Sequence, residues 1–138
     1  MKDLILYIPE YDWRADFHIA ATCYHTKEIA EELRECGCPP AVVSRAVGLM
    51  DECRLNTGLT WSDKTQRRSV VVVALASSAA EFSNSLQHEI RHLVDHICDE
   101  FGIRYGDEEA GYLAGEINLK LFDQIKEFYH ERPPCKRR

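Results

Sequence analysis

The run Ser69-Val70-Val71-Val72-Val73-Ala74-Leu75 constrains this chain more than any other segment. Four consecutive valines favour a strand, because branching at Cβ stiffens χ1 and suits a pleated surface. A run without alternation predicts burial on both faces or a covered edge. Apolar layers must therefore flank it. Such layers are available within the 138 residues, where 45% of the side chains are apolar. A chain of this size buries about two-thirds of its unfolded surface, enough for a core without disulfides or metal.

The remaining elements fall around that strand. Asp3 to Ile8 reads as a short strand ended by Pro9, and Phe17 to Ala21 as a weaker one. Thr26 is the expected cap of a helix through Arg34, stopped by Gly37. Pro39-Pro40 opens a second helix whose stripe is Val42, Val43, Ala46, Val47 and Met50, broken at Asn56-Thr57-Gly58. Leu59 to Ser62 reads as a strand. Ser83, or Ser77-Ser78 upstream, can cap a long helix running to Phe101, with Leu86, Ile90, Leu93, Val94 and Ile97 as its core stripe. Gly102 ends it. A last helix runs from about Glu108 to Tyr129, and Arg132-Pro133-Pro134 closes the fold. The expected fold is α+β and a single domain over residues 1–138. Residues 1–54 form a strand-and-helix part, 55–130 a core around the long helix, and 131–138 a tail.

Composition narrows the function. The net charge of −6 argues against nucleic acid as a partner, since phosphate recognition needs clustered positive charge. The basic end Lys136-Arg137-Arg138 is too short to reverse this. No apolar run approaches the roughly 18 residues of a membrane helix. The opening residues lack the roughly 7–15 apolar residues of a signal peptide, so the expected location is the cytoplasm. In a reducing compartment the six cysteines read as small buried residues or idle thiols. Cys36-Gly37-Cys38 has no matching pair that would make a zinc site.

One motif carries chemistry: His88-Glu89-Ile90-Arg91-His92, an HExxH pattern on the long helix. Residues i and i+4 lie about 40° apart around a helix, so His88 and His92 point the same way and can share a zinc ion. Glu89, offset by about 100°, can reach a water held there and act as general base in hydrolysis of a peptide bond. Chance would place about 0.03 such motifs in a chain of this composition. The competing explanation is two surface histidines on an ordinary amphipathic helix.

Zinc needs further ligands. His96 lies two turns, about 12 Å, from His88 on a straight helix, so the two cannot bind one ion. The expected source is Asp107-Glu108-Glu109 at the start of the last helix. Glu108 is preferred because it shares a face with Tyr112, Gly115 and Leu119, where the glycines would admit a close approach. Glu109 is the alternative. Either acid could instead complement the helix dipole. Asp95 can orient a ligand imidazole or stand in solvent. Tyr112 can donate to an oxyanion or simply pack. Arg91 is expected on the solvent side. His18, His25 and His130 show no partner pattern.

These segments, from Leu55-Asn56-Thr57-Gly58-Leu59-Thr60-Trp61 through the HExxH helix to Glu108-Glu109-Ala110-Gly111-Tyr112-Leu113-Ala114-Gly115-Glu116, resemble a group of small bacterial and phage-type proteins of gut Bacteroides-like genomes. These are regarded as minimal zincin-like, gluzincin-type metallopeptidases. The likeness covers roughly residues 55–120. It implies a zinc site with His88 and His92 as ligands, Glu89 as general base and a glutamate as third ligand, with Glu108 favoured by the Glu-x-x-x-Tyr-Leu-x-Gly spacing. It also implies a strand beside the cleft that can pair with an extended peptide or protein substrate. The alternative is a non-catalytic zinc-binding regulatory or partner-binding protein on the same scaffold.

Overall fold

A computed structural model describes residues 1–130; the expected tail and its basic end lie outside the described residues. The chain forms β1 (Lys2–Ile8), β2 (Trp13–Ala21), α1 (Thr26–Glu35), α2 (Pro40–Asp51), β3 (Gly58–Asp63), β4 (Arg68–Ala74), α3 (Ala79–Phe101) and α4 (Glu108–Ile125). The four strands make one sheet in the order β1-β2-β4-β3. β2 and β4 run parallel, and the outer strands β1 and β3 run antiparallel to their neighbours. β2, from the part before residue 54, pairs directly with β4 from the part after it.

The valine run is the inner strand β4, buried on both faces. Val70 and Val72 face a core shared with Ile29, Leu33, Val43 and Met50 of α1 and α2. Val71 and Val73 face the other core, with Phe17, Leu86, Ile90, Leu93, Ile97, Ile117 and Leu121. The period-two alternation of a strand thus serves two helical layers at once. The fold is a mixed α and β single domain with helices on both faces. No helix among the described residues is long and apolar enough to cross a membrane.

Local chemistry explains the ends. Ser78 caps α3, accepting from the Glu81 N–H at 3.1 Å, and Gly102 closes it in the left-handed region at φ 66°. The cap therefore lies upstream of Ser83. Thr26 is the first residue of α1 rather than its cap. Thr22 instead caps the short 3-10 turn Cys23–His25, and that turn leads straight into the helix. The last helix ends at Ile125 and passes into a 3-10 turn, Lys126–Tyr129.

Gly58 has the strictest requirement. At φ 151°, an added Cβ would sit 1.8 Å from the Val72 carbonyl oxygen and 3.2 Å from Cγ of Glu89. Only glycine lets β3 begin this close to both β4 and α3.

Candidate functional site

α3 is long enough to serve two purposes. Its inner stripe, Leu86, Ile90, Leu93, Val94 and Ile97, is buried as expected. An adjoining stripe runs alongside β3, and residues of β3 and those just before and after it meet the stripe in chain order. Thr57 and Thr60 reach Glu89, Ser62 reaches His96, and Lys64 pairs with Asp99 at 3.8 Å.

His88 and His92 stand exposed on this helix with their Nε2 atoms 3.2 Å apart. That is the geometry the i, i+4 spacing predicts. Glu89 is buried at 2% exposure, and both its oxygens are held. The Thr57 hydroxyl donates to Oε1 at 2.9 Å and the Thr60 hydroxyl donates to Oε2 at 2.7 Å. A buried carboxylate left without such donors would be strongly disfavoured. Sequence reasoning did not assign these two threonines. Their signal was the pair of hydroxyl residues flanking Gly58 just ahead of a strand, within the Leu55–Trp61 segment.

His96 ends a chain of hydrogen bonds into the core. The Trp13 indole N–H donates to Ser69 Oγ at 2.9 Å; Ser69 Oγ lies 2.7 Å from Ser62 Oγ, and Ser62 Oγ 2.6 Å from His96 Nδ1. An indole can only donate. With Ser69 donating to Ser62 and Ser62 donating to His96 Nδ1, that ring nitrogen is the acceptor and the imidazole's own proton sits on Nε2. Burial, then the neighbouring His92 and Lys64, hold the His96 pKa below its ordinary value, which agrees with a neutral ring. His96 is therefore an anchor to β3, consistent with its exclusion as a third ligand.

The other expected site residues lie elsewhere. Glu109 accepts from the Tyr11 hydroxyl at 3.0 Å, and Tyr11 packs on Phe101 with ring centroids 4.9 Å apart. The first turn of α4 thus stands level with the last turn of α3. Further along, Gln87 pairs with Asn118 at 2.7 Å. Antiparallel helices joined by a short loop start where the partner ends, so the acids stay about two turns beyond His92. Glu108 is exposed, and its companions Tyr112 and Leu119 are 75% and 80% exposed. That face was expected against α3, but α4 packs instead through Ala110, Leu113, Ile117 and Leu121. The apolar stripe outweighs the glycines, because burying large aliphatic side chains yields more than close backbone approach. Asp95 pairs with the exposed Arg91 at 2.9 Å rather than with a histidine. Among the described residues, no group of three or more His, Cys, Asp or Glu side chains is placed to hold a metal ion.

A second polar cluster, unassigned from sequence, lies on the α1 side of the sheet. His18 on β2 is buried, with Nδ1 2.8 Å from Asp3 Oδ1 and Nε2 bonded to Glu32. Arg68 bonds Asp16 at 2.9 Å and approaches Glu32 at 3.7 Å, while Arg14 bonds Asp16 at 2.8 Å. Burial alone would lower the His18 pKa, but the two carboxylates outweigh it and the net shift is upward. Burial likewise pushes Asp16 up, and its bonds to Arg14 and Arg68 bring it below the ordinary value. With His18 protonated, three cations meet three anions.

Compared with family models, with curated proteins and with solved structures, the chain finds no match in any of the three.

Proposed function

We propose that this chain is a zinc-dependent peptidase of minimal zincin-like type, with His88 and His92 as metal ligands and Glu89 as general base. The observation that supports the reading is the exposed imidazole pair with facing Nε2 atoms 3.2 Å apart. Two neutral imidazole nitrogens suit zinc, which takes nitrogen donors, and their exposure leaves room for other ligands. A bound zinc ion would supply Lewis acidity toward a substrate carbonyl. The chain itself supplies the rest. Glu89 is fixed beside His88 by Thr57 and Thr60, and so has a defined orientation for accepting a proton. β3 is an outer strand of the sheet next to this helix face, and among the described residues no strand pairs with its outer edge, which suits backbone pairing with an extended peptide.

One observation favours a second reading, a non-catalytic zinc-binding regulatory protein. Both Glu89 oxygens are already held by hydroxyls, and Glu109 is held by Tyr11. The carboxylate would then anchor β3 to α3 rather than move protons.

Calorimetric titration of metal-free protein with zinc, followed by a hydrolysis assay on an unfolded protein substrate, separates the two. The peptidase reading expects about one zinc per chain. His88→Ala and His92→Ala should each abolish binding, while Glu89→Gln keeps zinc and loses hydrolysis. Zinc binding without hydrolysis by the unaltered chain selects the second reading. Absence of zinc binding overturns both.

A further inference from the structure

α4 carries two apolar stripes, and the core takes up one of them. Ala110, Leu113, Ile117 and Leu121 are buried, whereas Tyr112, Leu119 and Phe122 are 75%, 80% and 54% exposed. The exposed residues are not scattered. Glu108, Tyr112, Gly115, Leu119, Phe122 and Lys126 follow one another in alternating steps of four and three. That is the spacing of a seam that packs on another helix. The helical backbone runs on through Lys126 at φ −55° and ψ −27°, so the stripe is continuous over all six.

The glycines are a second, independent observation. A Cβ built on Gly115, or on Gly111 one turn earlier, would meet nothing within 4 Å. Glycine inside a helix is unfavourable relative to alanine, and no crowding among the described residues requires it at either position. A gap in an exposed apolar stripe admits a bulky side chain from outside the chain.

The stripe is complementary to itself. When two copies of α4 lie antiparallel about a two-fold axis level with Ile117, residues equally far from that level face each other. Tyr112 then meets the partner's Phe122, Leu119 fills the gap at the partner's Gly115, and the exposed Glu108 meets the partner's Lys126. Each pair occurs twice, as two-fold symmetry demands. Aromatic meets aromatic, large meets small, and acid meets base. A parallel arrangement would instead set Glu108 against Glu108 and Gly115 against Gly115, giving repulsion and a void.

We propose that α4 joins two copies of this chain in an antiparallel, two-fold dimer. The 18 residues of α4 span about 27 Å. One such helix pair covers less than a standard interface of roughly 1,200–2,000 Å², so the expected dissociation constant is about 10 μM. The inference goes beyond the zinc reading and does not depend on it.

The test uses the full chain without metal, in dithiothreitol so that no disulfide links two copies. Sedimentation at about 100 μM protein should give mostly twice the chain mass, and dilution should return the single chain. Leu119→Lys should give the single chain at the same concentration with an unaltered circular dichroism spectrum, because the position is exposed within one chain. Glu108→Lys and Lys126→Glu should each weaken the dimer about tenfold, and the two together should restore it. A single chain at the higher concentration overturns the proposal. So does a dimer that survives Leu119→Lys, or a double exchange of charge that fails to restore affinity.

Discussion

On the α1 side of the sheet, His18 is buried with both ring nitrogens held by carboxylates, whereas on α3 His88 and His92 stand in solvent with their Nε2 atoms turned to each other. The same residue type thus does two jobs. A histidine between Asp3 and Glu32 has no nitrogen left for a ligand. It joins β1, β2 and α1 through its two carboxylate partners, within a network that extends to Arg68 and Asp16. Among the described residues the α3 pair makes no ion pair, and both rings are exposed, so its nitrogens remain available. Saturation by neighbours, rather than mere presence in a polar cluster, separates a structural histidine from a candidate ligand.

The sharpest way to break this comparison is to remove each histidine in turn. His18→Ala should destabilise the chain by about 3 kcal/mol in urea unfolding, because it takes a buried partner from Asp3 and Glu32 and leaves Glu32 only Arg68 at 3.7 Å. His88→Ala in metal-free protein should stay within about 0.5 kcal/mol of the unaltered chain, as surface changes do. Equal losses would mean that the two sites are not different in kind.

A smaller effect tests how Glu89 is held. Thr60→Val removes the donor to Oε2 while keeping shape, and should cost about 1–3 kcal/mol through a buried carboxylate oxygen left without its partner. Thermal unfolding measures it. A neutral result would mean that water replaces the hydroxyl and that Glu89 is more open than its 2% exposure implies.

The smallest expected effect is a slope with pH. The folded state raises the His18 pKa above its ordinary value of 6.5. Its contribution is therefore complete below about pH 6.5 and is lost as pH rises through the folded-state value. Urea midpoints measured across that window should fall with pH, and His18→Gln should flatten the fall. Midpoints that rise with pH, or a fall that His18→Gln leaves unaltered, would mean that the two carboxylates do not hold His18 as described.

Much of the fold was legible because its signals are local. The Val70–Val73 run, the Ser78 cap, the α3 stripe and Gly102 each act within a few residues, and each lies where propensity and periodicity put it. The facing of His88 and His92 followed from 3.6 residues per turn alone. The third-ligand expectation rested instead on how α4 docks, and the contest between its faces was not visible locally. Ile117 and Leu121 bury their stripe, which turns Tyr112 and Leu119 to solvent and leaves Glu109 with Tyr11.

The sequence by itself determined that one strand would be covered on both faces and that one helix would present two histidines and a glutamate at fixed angles. Those are consequences of backbone period and side-chain branching, which need no partner. Only the tertiary structure decided that Thr57 and Thr60 hold Glu89, that His18 lies between Asp3 and Glu32, and that Glu109 meets Tyr11. Each of these joins segments distant in the chain through strand register and helix docking, which depend on the whole core rather than on neighbouring residues.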